Sequence, residues 1–121
     1  MKLVVCGSRD CDDYQVVVNH LKHMTTIEEI VSGCARGADK LGERYAEENN
    51  IPLKKMPADW KRWGKSAGYI RNEDMAEYAR YVICFWDGKS PGSKGMIKFC
   101  RENEIPILVI KYNENNLAEF M

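Results

Sequence analysis

The sequence has no excess charge of either sign, since 18 Lys and Arg stand against 18 Asp and Glu. A protein that coats nucleic acid needs a basic surplus, so a nucleic-acid partner is not expected and any anion site must be local. No stretch approaches the roughly 18 consecutive apolar residues that cross a bilayer as a helix, so no membrane association is expected. Lys2 is followed only by the short apolar run Leu3-Val4-Val5-Cys6 before Gly, Ser, Arg and Asp, too little for a secretory signal, and a cytoplasmic location is expected. CxxC pairs are missing. The five cysteines (Cys6, Cys11, Cys34, Cys84, Cys100) form an odd, scattered set, which argues against a disulfide framework or a structural zinc site. Cys34, in a glycine-bearing loop, is the one expected near a ligand. His20 and His23 have helical spacing but no third ligand close in sequence, so a solvated helix face is the reading and no metal is expected. Neither GxGxxG nor GxxxxGK followed by Ser or Thr occurs, so standard NAD binding and P-loop ATP hydrolysis are not expected, and no cofactor is inferred.

What the 121 residues do contain is enough apolar material, 45%, for one core, with no repeat, low-complexity tract or interdomain linker; residues 1–121 read as one domain. Apolar runs alternate with amphipathic stretches. Strand-like runs are Leu3–Cys6, Glu29–Ser32, Ile51–Met56, Tyr81–Trp86 and Ile107–Ile110. Between them lie helical patterns: Tyr14, Val17, Val18, Leu21 and Met24; a helix from near Gly37 stopped at Asn49-Asn50; one over about 66–79; and one presenting Met96, Phe99, Cys100 and Asn103. The final residues read as a short tail or partial helix. Strands apolar on both faces and separated by helices predict an α/β fold, a single Rossmann-like doubly wound parallel sheet. Right-handed crossovers give about five strands in the order 3-2-1-4-5, with helices on both faces. That order opens a crevice at the carboxyl ends of the first and fourth strands.

Four loops belong to that edge. In Gly7-Ser8-Arg9-Asp10 the glycine allows close backbone approach, Ser8 can donate a hydrogen bond and Arg9 can pair with phosphate; a plain turn is the alternative. In Gly33-Cys34-Ala35-Arg36-Gly37-Ala38-Asp39, free N–H groups at a helix start suit an anion, Gly37 keeps the approach open and Arg36 adds charge. Asp39 either accepts from a ribose hydroxyl or complements the helix dipole. The third loop, Ala58 to Gly68, leads into Arg71-Asn72, which continue the apolar face of the helix that carries Met75. A charge on that face needs a partner, either an anionic ligand or an internal carboxylate such as Asp10 or Asp87. Trp60 and Trp63 either stack on a base or fill core. In Asp87-Gly88-Lys89-Ser90-Pro91-Gly92-Ser93, Gly88 and Gly92 permit tight turns, Ser90, Ser93 and the helix amides can hold phosphate, and Asp87 can bind a ribose or a water; an N-cap alone is the alternative.

Taken together, GSRD, SGCARGAD, PADW, RNEDM and FWDGKSPGS resemble the SLOG superfamily, and more narrowly its YspA-like small proteins of bacteria and phages. The resemblance implies a Rossmann-like domain that binds a nucleotide or a nucleotide-derived phosphorylated molecule, for sensing or sequestration, and a homo-oligomer, most simply a dimer. The LOG phosphoribohydrolases of the wider superfamily cleave the N-glycosidic bond of nucleoside monophosphates. Arg71-Asn72-Glu73-Asp74-Met75 is similar to their Arg-Lys-x-x-Met element, with Asn72 for Lys. Gly92-Ser93-Lys94-Gly95-Met96 is similar to the end of their glycine-rich element, with Met96 where the catalytic Glu would stand. A methionine neither supplies negative charge nor moves a proton. Binding is therefore the expected function. A LOG-like N-glycosidase or related nucleotide hydrolase is the alternative, with Asp39, Asp87 and Arg71 as candidate catalytic residues.

Overall fold

β1 (Lys2–Gly7) is the strand on which the molecule is built, because it lies between β2 (Glu29–Ser32) and β4 (Val82–Trp86) and is covered on both sides. That position explains a strand with no polar alternation: Leu3, Val4, Val5 and Cys6 are all buried. The computed structural model describes residues 1–112 and the backbone of Leu117–Phe120. Beyond β2 lies the short edge strand β3 (Leu53–Lys55), and beyond β4 lies β5 (Ile107–Lys111). These five strands are parallel, in the order 3-2-1-4-5. A sixth, β6 (Leu117–Phe120), pairs antiparallel with β5. It stands where the sequence suggests a tail or partial helix; the rest of that expected tail, 113–116 and 121, lies outside the described residues.

Two helical layers cover the sheet. α1 (Tyr14–Leu21) and α2 (Ala38–Glu48) bury Val16, Val17, Leu21, Tyr45 and Ala46 against the face that presents Leu3, Val5, Ile83 and Phe85. α4 (Ala67–Ala79) and α5 (Pro91–Glu102) bury Met75, Ala76, Met96 and Cys100 against Val4, Cys6, Cys84 and Val109. The period-two alternation of β1 thus feeds two separate cores. α1 is shorter than its apolar pattern suggests. It is capped by Asp13, whose carboxylate accepts from the Gln15 and Val16 amides, and it ends at Leu21, leaving Met24 half-buried beyond it. Before α4, Asp59 caps a four-residue helix, α3 (Trp60–Trp63), which leads through a 3-10 turn (Gly64–Ser66) into α4.

The loop after β1 is fastened by Ser8, which is 1% exposed. Its amide donates to the Phe85 carbonyl at 2.9 Å, and its carbonyl accepts from the Cys11 and Ala38 amides, each at 3.2 Å. Its hydroxyl accepts from the Asp87 amide at 3.0 Å and lies 3.1 Å from the Ser90 hydroxyl. Gly7 makes this approach possible: at φ +149°, a Cβ there would stand 2.0 Å from the Phe85 carbonyl oxygen. Replacing Ser8 by Ala leaves the Asp87 amide without its acceptor, and urea unfolding should show a loss of about 1–3 kcal/mol. A midpoint identical to that of the unmodified protein would show that the Ser8 hydroxyl fastens nothing.

Candidate functional site

A cleft of ≈ 470 Å³ opens at the carboxyl ends of β1 and β4, where the strand order changes direction. Its floor contains Gly7 and Cys6, and one rim carries Arg9 and Asp10. The loop after β4 and the start of α5 contribute Asp87, Ser90, Gly92 and Ser93; α4 contributes Gly68, Arg71 and Asn72. Asp39, from the first turn of α2, and Trp60, from α3, complete the sequence-expected residues that meet there.

Five others do not line the cleft. Ser8 lies beneath it, spent on the backbone and on Ser90. Gly33 is buried behind Arg71 and Asp39, where a Cβ would stand 2.6 Å from Arg71 Nη1 and 2.8 Å from Asp39 Oδ2. Gly37, at φ +78°, supports the approach of α2 to the Ser8 and Arg9 backbone. Arg36 is exposed outside the cleft, and so is Gly88. The expectation that Arg36 shares a hollow with Arg9 and Arg71 is therefore corrected. Cys34 also stays away from the cleft, half-buried at φ +65° beside the Ser32 carbonyl. Lys65, Tyr69, Cys6, Met96 and Asp10 line the cleft without having been singled out from the sequence as ligand residues. For Lys65 and Tyr69 the signal was present, a basic and aromatic stretch entering a helix.

Two helix starts border the cleft. Ser90 occupies the N-cap position of α5 yet makes no side-chain cap, because its hydroxyl turns to Ser8. Ser66, before α4, makes none either. Neither helix start has a side-chain cap, and both contribute residues to the cleft. The Ala67 amide of α4 already donates to the Gly64 carbonyl, so the amides at the start of α5 are the ones left for a ligand. Among the described residues four polar side chains are buried: Ser8, Ser32, Asp39 and Ser93. Ser32 donates to Glu43 at 2.6 Å, and Asp39 accepts from the Ala35 amide at 3.3 Å. Ser93, in the first turn of α5 and 6% exposed, has no hydrogen-bond partner among the described residues, and it lines the cleft. Its hydroxyl oxygen therefore opens onto the cleft, since among the described residues no buried side-chain N or O atom lacks a hydrogen-bond partner.

The charges are arranged unevenly. Arg9 and Lys65 make no ion pair among the described residues. Arg71 donates from Nη1 to the Gly33 carbonyl and from Nε to Asn72 Oδ1 at 2.8 Å, so neither Asp10 nor Asp87 is its partner. Asp10 instead accepts from the Tyr112 hydroxyl. Burial pushes the Asp39 carboxyl up from 3.8 to about 6, against the opposing pull of Arg71 and the Ala35 and Gly33 amides. At Asp87 burial also pulls upward, but the Ser90 and Lys89 amides, each 2.8 Å from Oδ1, outweigh it and hold the carboxyl below its usual range. The Cys6 thiol is pushed well up by its hydrogen bond to Cys84 and by burial, so it stays a neutral wall group. Met96, 1% exposed, presents a thioether where the LOG resemblance would place a carboxylate. Among the described residues no three His, Cys, Asp or Glu side chains gather as a metal site, and no helix is long and apolar enough to cross a membrane.

The Gene 61 protein of Mycobacterium phage D29 is 33% identical over 85 residues, which cover 65% of this chain and 68% of the phage protein. No solved structure matches the chain. The family described as "YspA, cpYpsA-related SLOG family" matches residues 1–63, which carry the first two cleft loops and end with α3. That match spans half of the sequence, and the chain belongs to the YspA, cpYpsA-related SLOG family.

Proposed function

We propose that the cleft binds a nucleotide or a nucleotide-derived phosphorylated small molecule, with its phosphate at the start of α5. The observation that carries this reading is Ser93, whose hydroxyl has no protein partner and opens onto the cleft, beside helix amides that Ser90 leaves uncapped. A phosphate would satisfy these donors together, and the unpaired Arg9 on the rim would add a charge-assisted bond. Family membership supports a nucleotide-related ligand. Asp87 and Asp39 are the acceptors within the same cleft that suit sugar hydroxyls. This is the chemistry of a sensor or a sequestering protein.

A second reading, hydrolysis of an N-glycosidic bond, rests on Asp39. A cleft carboxyl raised to about 6 sits in the range where a group both holds and yields a proton near neutral pH. The test is release of free base or ribose phosphate from nucleoside monophosphates, abolished in Asp39→Asn. Saturable binding with no product assigns the cleft to binding alone.

The binding reading is tested by a thermal-shift panel of mono-, di-, cyclic and ADP-ribose-type nucleotides. A ligand at 100 times Kd should stabilise the fold by about 2.7 kcal/mol. Ser93→Ala and Arg9→Ala should leave unliganded stability within about 0.5 kcal/mol of the unmodified protein. Each should weaken the best ligand by roughly tenfold or more, the worth of a charge-assisted bond. A panel without a single stabilising nucleotide contradicts the reading.

Asp39 also predicts a pH dependence. Its folded-state pKa lies above the unfolded value, so between about pH 4 and 6 the folded state holds the extra proton. The contribution is fully present below pH 4 and is lost as pH rises through 6, by about 3 kcal/mol for a shift of this size. Asp39→Asn removes that dependence, so urea unfolding should show the variant gaining on the unmodified protein between pH 4 and pH 7. Parallel stabilities at the two pH values would refute the burial of a charged Asp39.

A further inference from the structure

Trp60 and Tyr69 border the cleft and are 52% and 46% exposed. Core packing does not explain Trp60, because neither α3 nor the 3-10 turn after it buries a residue. The two aromatic side chains have different surroundings. The Tyr69 ring lies against Gly95 of α5, where a Cβ would stand 3.1 Å from it, so Tyr69 closes the contact between α4 and α5. Trp60 stands beside Gly68. The Cβ that Gly68 lacks would stand 3.5 Å from Trp60 Cη2 and 3.9 Å from Arg71 Nη2. A Cβ at Gly68 would thus stand at ordinary van der Waals distance from both an indole edge atom and a guanidinium nitrogen.

Trp63 offers no such space. Its ring is covered by the Arg62 guanidinium, 4.7 Å from the centroid, and it lines a separate hollow of ≈ 100 Å³ with Met56, Pro57 and Ile70. Trp60 has no cation over its ring among the described residues, and it alone of the pair lines the large cleft. Flat heteroaromatic rings are the groups that both an indole and a guanidinium attract, through stacking and through charge–quadrupole attraction.

We infer that the slot between Trp60 and Arg71, kept open by Gly68, holds the flat heteroaromatic base of the ligand. Trp60 is then the residue by which the cleft distinguishes a nucleotide from a bare sugar phosphate. The inference rests on the nucleotide reading above and adds the orientation, with phosphate at α5 and base at the α3–α4 junction. Stacking reads a ring face rather than an edge, so it selects for a base without choosing strongly among bases.

Adenosine 5′-monophosphate and ribose 5-phosphate are the probes, compared by calorimetry on the full chain. The unmodified protein should bind the nucleotide roughly ten- to a hundredfold more tightly than the sugar phosphate, the usual worth of one stacked base. Trp60→Ala should bring the nucleotide down to the level of ribose 5-phosphate while leaving ribose 5-phosphate unchanged, and Trp60→Phe should restore most of the difference. Gly68→Ala should fold normally, since its methyl meets ordinary contacts, yet lose the same preference by filling the slot. Equal affinity of the unmodified protein for the two probes, or equal weakening of both by Trp60→Ala, overturns the inference and leaves the phosphate reading standing. Binding of neither probe overturns the inference, and the nucleotide panel above then decides the phosphate reading.

Discussion

The site depends on the burial of Ser8. A residue 1% exposed at the end of a central strand must have its backbone and hydroxyl satisfied within the protein. Ser8 meets that requirement by bonding to β4 at Phe85, to the start of α2 at Ala38, and to the loop after β4 at Asp87 and Ser90. Segments some 80 residues apart in sequence are thereby held together under the cleft. The same bonds draw the Ser90 hydroxyl away from the helix it precedes, so α5 opens into the cleft with no side-chain cap. The constraint that stabilises the frame also creates the anion-suited end of the site.

Charge balance in the cleft follows the balance of the whole chain. Arg9, Lys65 and Arg71 face Asp10, Asp39 and Asp87. Attraction for an anion arises because the two sets are engaged differently. Asp87 is held by two backbone amides, Asp10 by Tyr112, and Asp39 by the Ala35 amide near Arg71. Arg9 and Lys65 have no protein partner among the described residues. A neutral protein can in this way present a local anion site without the long-range field that would draw in nucleic acid.

Much of this was legible in the sequence. Apolar runs with no alternation gave away a parallel sheet, and their order with intervening helices gave the 3-2-1-4-5 arrangement. The placement of Arg71 and Asn72 in line with Met75 on one helix brought both into the cleft, because helical spacing is a local property. Ser8 was legible as a special residue but not as a buried one: its partners Phe85, Asp87 and Ser90 become neighbours only once β1 and β4 pair. Arg36 looked equivalent to Arg9, yet the turn at Gly37 leaves it on the outside, and a backbone turn of that kind has no periodic signature. The antiparallel β6 was hidden for a similar reason, since an edge strand takes its hydrogen bonds from β5 rather than from an apolar pattern of its own.

The most direct measurement is a backbone-amide NMR titration with adenosine 5′-monophosphate. The account predicts that Gly92 and Ser93 in α5 shift together with Gly68 and Tyr69 in α4, on one binding curve, while the amides of α1, which lines no part of the cleft, stay in place. Shifts confined to α1 or the β3 edge, or no saturable shift at all, would contradict it.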